Sequence, residues 1–260
     1  RQHLTRGHAM EKIRVGVIGV GALGRHHARL HKECHLADLV GLYDQDAERA
    51  RKIAAEFDTT AMESMSDLVS QCEALSVAVP TDRHYDVVNY LLGRSKNVLV
   101  EKPIADTVDA AQVLVNFADQ QQCVLAVGHV ERFNPVLECI DAIPGPTRYI
   151  EAHRLAPYPP GREGAPPRGT EVSVVHDLMI HDIDVVLDLV GDNVSRIEGI
   201  GVPVLSKTED IANVRLVFEN GCVANLTASR VSPERMRKIR LFKETAYLSL
   251  DYQSQEGEMA

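Results

Sequence analysis

Up to about residue 130 the chain alternates short apolar runs with longer amphipathic segments. The apolar runs lie at 13–18, 38–43, 74–79, 97–100 and 123–128. They are continuously apolar, as in LSVAVP and VLVE, and this predicts strands buried on both faces. The segments between them, at 22–33, 46–56, 83–93 and 107–121, have helical periodicity. Asp46 and Thr107 precede two of these as N-caps. Strands alternating with helices predict a parallel sheet covered on its faces by helices.

Beyond residue 130 the pattern changes. A helical segment follows Pro135, and a strand is predicted at 147–155. YPPGREGAPPRG, residues 158–169, reads as a long loop, a feature often tied to function in compact domains. One long helix is predicted over 173–190, with Ile183, Val186, Leu187 and Val190 as its apolar stripe. Only strands follow, at 194–202, 211–218, 222–231, 236–243 and 246–252, with Asn220-Gly221 as a hairpin turn. The fold class is therefore α/β: a doubly wound parallel sheet over 10–129, then an α+β domain with a large, mostly antiparallel open sheet over 130–260. Arg1 to Ala9 reads as a tag remnant, with Met10 as the natural start.

Composition narrows the function. At 260 residues and 45% hydrophobic, the chain has material for two cores. No apolar run approaches the roughly 20 residues of a membrane span, and no secretory leader is expected from the polar opening residues. A net charge of −9 argues against a nucleic-acid partner. The five cysteines are scattered with no C-x-x-C pair, so neither a disulfide framework nor a metal site is indicated. A reducing cytoplasm fits that usage.

The first candidate site is GVIGVGALGRHHARLH, residues 16–31. Gly19, Gly21 and Gly24 have the G-x-G-x-x-G spacing directly after a strand and at the start of a helix. The first glycine permits the tight turn, the second admits a pyrophosphate, and the third lets helix pack on sheet. With Ala22 and Leu23 they form a Rossmann dinucleotide loop whose helix N-terminus faces the phosphates. Asp44, at the end of the second strand, is placed to accept hydrogen bonds from a ribose and to repel a 2′-phosphate, favouring NAD over NADP. His26, His27 and His31 have no partner at metal-ligand spacing and read as a partly solvated helix face.

Two further stretches carry chemistry. VLVEKPIA runs from a strand directly into Glu101-Lys102-Pro103, so Lys102 stands at a C-terminal strand end, where open parallel sheets bind ligands. In VVHDLMIHDIDVVLDLVG, Asp177 lies four residues before His181, a spacing at which a carboxylate orients and stabilises an imidazole acting as general base. His176, five before His181, reads as structural or as a contact to the loop, and Asp188 as solvated.

GVGALG, EKP and the D-x-x-x-H-x-x-D pattern of Asp177, His181 and Asp184 occur in one order, and together they resemble the glucose-fructose oxidoreductase/inositol dehydrogenase (Gfo/Idh/MocA) family from about residue 12 onward. The resemblance implies a Rossmann domain, an open-sheet second domain and homodimers or homotetramers packed through that sheet. It implies that Lys102 and His181 are catalytic with Asp177 nearby, and that Pro80, Thr81, His84 and Glu101 line the nicotinamide side. GHVERFNP at 128–135 and the stretch 154–184 are similar to the UDP-N-acetylglucosamine 3-dehydrogenase branch, which implies oxidation of a sugar C3 hydroxyl to a ketone. The insertion GREGA departs from the tighter PPRG turn of that branch.

A nucleotide sugar carries a pyrophosphate, which suits cationic forks. Arg132, Arg154 and Arg168 are the candidates, with Arg162 read as solvated and Asn134 as a hydrogen-bond partner for a sugar oxygen. The expected enzyme is an NAD-dependent dehydrogenase of a sugar hydroxyl. Either His181 is the base with Lys102 stabilising alkoxide character, or Lys102 is itself the base. Two alternatives remain: a dehydrogenase of a free polyol or aldose, and a non-catalytic NAD-binding sensor.

Overall fold

A computed structural model of the chain describes residues 11–161, 167 and 169–260. Arg162, Arg168 and residues 1–10 lie outside the described residues. The chain divides into two compact units, one ending at Gly128 and the other beginning at His129.

The first unit is a six-stranded, fully parallel sheet in the order β3-β2-β1-β4-β5-β6. Its strands are β1 Ile13–Ile18, β2 Ala37–Tyr43, β3 Thr60–Ala61, β4 Ala74–Val77, β5 Asn97–Val100 and β6 Leu125–Val127. The helices are α1 Ala22–Glu33, α2 Ala47–Glu56, α3 Met65–Gln71, α4 His84–Leu92 and α5 Val108–Gln121. Asp46, Ser64 and Thr107 each cap a helix through a side-chain oxygen. β1 alternates between two cores: Val15 and Val17 pack with Ala28, Ala50 and Ile53 of α1 and α2, while Ile18 packs with the layer of α3, α4 and α5. Burial on both faces fails at the β5–β6 end, where Leu99 and Leu125 are half-buried and Val124 and Ala126 exposed. There the helix layer of α4 and α5 covers one face only.

The second unit is a seven-stranded mixed sheet in the order β13-β12-β11-β7-β10-β9-β8. Its strands are β7 Thr147–Leu155, β8 Val194–Val202, β9 Ile211–Phe218, β10 Val223–Ser229, β11 Met236–Lys243, β12 Tyr247–Asp251 and β13 Glu256–Met259. Only the β7–β10 pair is parallel. Strand alternation puts Ile150, Ala152, Leu226, Ile239 and Leu241 on the inner face, against the short helix α6 Glu138–Asp141 and the long helix α7 Ile180–Val190. The outer face is open, with Ile200, Val202 and Phe242 all at least 40% exposed.

The predicted helix over 173–190 differs in two ways. Its first part, Val175–Met179, is a π turn, with α7 following without a break. Val186, Ile183 and Val190 of the predicted stripe pack in the core, but Leu187 is exposed and Asp182 and Val185 are buried in addition. Asp182 faces inward because its carboxylate pairs with the buried Arg154 at 2.8 Å.

Candidate functional site

In the first unit, β1 feeds the glycine turn. Gly19 has φ +83° and its N–H donates to Tyr43 O at 2.8 Å, so the turn is fastened to the end of β2. A Cβ at Gly24 would lie 1.8 Å from Gly19 O, so α1 can seat on the turn only without a side chain there. A Cβ at Gly21 would meet nothing within 4 Å, and neither a capping side chain nor an acidic residue occupies the first turn of α1. The loop thus presents bare backbone N–H groups at a helix N-terminus, which suits an anionic phosphate. These features fit a dinucleotide.

Asp44 is tied into the same loop. Its Oδ2 accepts from Val20 N at 2.8 Å, its Oδ1 accepts from Asp46 N at 2.9 Å, and Arg49 Nη1 stands 3.3 Å away. The carboxylate is nearly buried and fixed, with Arg49 also 3.0 Å from Asp46.

The β4 exit carries Pro80 and Thr81, the latter in a short 3-10 turn, Thr81–Arg83. His84 behind it does not face outward as a cofactor contact. It is 1% exposed, with Nδ1 2.7 Å from Pro103 O and Nε2 3.0 Å from Val79 O. Both ring nitrogens are engaged, so His84 ties the β4 exit to the Glu101-Lys102-Pro103 turn.

Glu101 also turns inward. Its Oε1 lies 2.7 Å from His27 Nε2, and its N–H donates to Val77 O at 3.0 Å. Burial pushes the Glu101 carboxyl up, but the hydrogen bond and charge of His27, with Lys102 adjacent, outweigh it and hold the group below the ordinary range. Lys102 follows, half-buried, at the end of β5.

The α1 histidines correct the sequence reading. His26 is exposed, but His27 meets Glu101, and His31 Nε2 lies 2.8 Å from Ser76 Oγ. Burial, then the nearby His27, lowers the His31 pKa. Gly24, His27, Ala28 and His31 are spaced i, i+3, i+4, i+7, an inward stripe built of small residues and histidines.

In the second unit, Asp177 lies in the π turn and His181 on the first turn of α7, both half-buried. Gly169, at φ +84°, sits against the Asp177 carboxylate, where a Cβ would be 2.6 Å from Oδ2. π turns recur at functional sites.

Two of the arginines predicted to bind substrate, Arg132 and Arg154, have internal partners. Arg132 donates from Nε and Nη2 to Asp184 at 2.6 and 2.8 Å and from Nη1 to Asp188 at 2.7 Å. The hydrogen bonds to Asp184 raise its pKa against the effect of burial. Asp188 is therefore half of this clamp. Arg154 is 3% exposed and donates to both oxygens of Asp182, at 2.8 and 2.9 Å, and to Glu131 at 2.9 Å. Burial opposes its charge, yet Asp182 and Glu131 prevail and raise its pKa. Asn134 Nδ2 donates to Tyr252 O and its Oδ1 accepts from Val136 N, making it a cap and brace. All three residues hold the second unit together, and their polar groups are spent on internal partners.

Comparison with known proteins decides the family. Residues 13–129 match the profile described as "Oxidoreductase family, NAD-binding Rossmann fold", and residues 144–249 match the GFO/IDH/MocA C-terminal domain. The chain belongs to the Gfo/Idh/MocA oxidoreductases. It is 37% identical over 244 residues to the UDP-N-acetylglucosamine 3-dehydrogenase of Acidithiobacillus ferrooxidans, covering 94% of this chain and 75% of that one. A solved structure of that enzyme superposes with a TM-score of 0.89 at 36% identity, covering 96% of this chain and 81% of the other. An inositol 2-dehydrogenase of Rubrobacter xylanophilus is 34% identical over 184 residues, covering 67% of this chain and 51% of its own. A probable dehydrogenase from Thermotoga maritima, at 22% identity, shares the fold with a TM-score of 0.81 over 92% of this chain and 75% of its own. Among the described residues no helix is long and apolar enough to cross a membrane, and no group of three or more His, Cys, Asp or Glu residues forms a metal site.

Proposed function

We propose that this oxidoreductase oxidises the C3 hydroxyl of UDP-N-acetylglucosamine, or of a similar nucleotide sugar, to a ketone with NAD. The observation that carries the reading is the 37% identity over 94% of the chain to an enzyme of that name. Gly19, Gly21, Ala22, Leu23 and Gly24 hold the pyrophosphate, Asp44 faces the adenosine ribose, and Pro80 and Thr81 stand at the nicotinamide side. When bound, the nicotinamide accepts the hydride from the sugar carbon. His181 takes the hydroxyl proton, with Asp177 stabilising its imidazolium. Lys102 donates a hydrogen bond to the same oxygen as alkoxide character develops. The protein works in the cytoplasm as a homodimer or homotetramer joined through the open outer face of the seven-stranded sheet, where Ile200 and Val202 are 66% and 44% exposed.

The test is NADH formation with purified protein, comparing UDP-N-acetylglucosamine with UDP-glucose, inositol and glucose, with a ketone trap to draw the reaction forward. Formation with UDP-N-acetylglucosamine alone supports the reading, and formation with inositol or glucose alone overturns it. The second reading, a dehydrogenase of a free polyol, has one observation in its favour: Arg132 and Arg154 are engaged internally, leaving fewer cations for a pyrophosphate. Nothing favours a non-catalytic sensor.

A further inference from the structure

Below the start of the helical run lies a buried ion pair with no part in the function proposed above. Arg230 Nε donates to Asp210 Oδ1 at 2.7 Å, and their side chains are 3% and 0% exposed. Asp210 Oδ2 accepts three backbone N–H groups, from Val204, Leu205 and Ser206, at 2.9, 2.6 and 2.8 Å. The rest of the guanidinium points at the segment that leads into the π turn. Nη1 donates to Gly169 O at 2.6 Å and to Val172 O at 2.7 Å, and Nη2 donates to Thr208 Oγ1 at 2.7 Å. Thr208 Oγ1 in turn lies 3.1 Å from Thr170 O and 3.0 Å from Val172 O. One cation thus gathers the carbonyls of a four-residue tract that has no secondary structure of its own.

That tract begins against Asp177. Gly169 is both the residue whose carbonyl Arg230 holds and the residue whose α-carbon abuts the Asp177 carboxylate. Its φ of +84° excludes most side chains, and a Cβ would approach Oδ2 to 2.6 Å. A displacement of Gly169 must therefore displace the carboxylate or open a gap beside it. Lysine retains the charge that neutralises Asp210 but lacks the planar fork that spans Asp210, two carbonyls and Thr208.

We propose that the Asp210–Arg230 pair is a positioning device, which through Gly169 sets where the Asp177 carboxylate stands. The inference rests on the reading of Asp177 as the partner of the base His181, and its test has one arm that does not depend on that reading.

The first arm is crystallographic. Structures of the full chain carrying Arg230→Lys or Gly169→Ala are expected to show the Asp177 carboxylate withdrawn, in Gly169→Ala from the 2.6 Å overlap to ordinary contact beyond 3.4 Å. A carboxylate in its wild-type place in Arg230→Lys overturns the proposal, whatever Gly169→Ala shows. If Arg230→Lys does not fold, Thr208→Val replaces it, removing one acceptor of the Arg230 fork and the Thr208 contacts to Thr170 O and Val172 O while leaving the buried charges paired, and an unmoved carboxylate there overturns the proposal in the same way.

The second arm is a double-mutant cycle on turnover, read with whichever sugar gives NADH. Gly169→Ala is expected to lower kcat about tenfold or more with KM and the Kd for NAD unchanged, since misplacing a catalytic partner by about 1 Å costs rate and not binding. In an Asp177→Asn background the same change should cost less than about twofold, because residues acting through one another are not additive. An equal cost in both backgrounds overturns the proposal. Wild-type turnover in Asp177→Asn alone overturns the assignment of Asp177, and the carboxylate position in the first arm still decides the positioning.

Discussion

Oε1 of Glu101 lies 2.7 Å from Nε2 of His27, joining the turn that bears Lys102 to the helix that follows the glycine loop. The two candidate cofactor segments of the first unit are thus one mechanical assembly. Replacing His27 by Ala takes from a buried carboxylate its side-chain hydrogen bond, leaving the Lys102 backbone N–H, at a cost of about 1–3 kcal/mol near neutral pH. Glu101 is held below its ordinary value of 4.5, so its contribution is present above that pH and is lost as pH falls through the lower folded value. Denaturant unfolding of wild type and His27→Ala across pH should show the gap between them shrinking below pH 4.5.

Lys102→Ala and His181→Ala should each lower turnover by roughly 10²–10⁴-fold, the range for proton-transfer and charge-stabilising groups. Calorimetry should find NAD binding nearly unchanged in both. Near wild-type turnover in the double variant would sink the mechanism.

Asp44 binds the glycine loop through Val20 N–H as well as standing near the expected ribose. Asp44→Ser should therefore reduce kcat/KM for NAD by about 10–100-fold, the worth of a charged hydrogen bond. It also leaves Arg49 without its Asp44 partner, so use of NADP relative to NAD should rise. Steady-state kinetics with both cofactors check this, and an unchanged ratio counts against Asp44 as the selector.

Asp182→Ala strands Arg154 in the second unit's core with only Glu131 beside it. Breaking a buried pair from one side costs about 3–5 kcal/mol. Thermal unfolding should show a large fall in Tm, far more than Asp188→Ala produces at the exposed clamp on Arg132.

Much of this architecture was legible in the chain. Continuously apolar runs such as VLVE marked β5, and the glycine spacing after β1 marked the dinucleotide loop, because both are local signals. β3 escaped notice because it is two residues long, Thr60–Ala61, and pairs only with its neighbour β2. The inward histidines of α1 escaped because their stripe contains no large apolar residue. The partners of the arginines were hidden for a different reason: a sequence displays cations but not the carboxylates they meet. Arg132 meets Asp184 and Asp188 from 52 and 56 residues away, and Arg230 meets Asp210 from the facing end of an antiparallel strand pair. No local pattern announces such pairings.

The π turn at Val175–Met179 works as a phase shifter. An α-helix advances about 100° per residue, so the surplus residue in the wide turn sets the azimuth of α7 relative to the strand-side tract that enters it. Deleting one residue here would keep the helix and its composition yet swing the entering tract by about that angle. Asp182, which now points at Arg154, and His181 beside it could then no longer both keep their present neighbours. A one-residue deletion in this stretch is therefore a far harsher change than any single substitution in it.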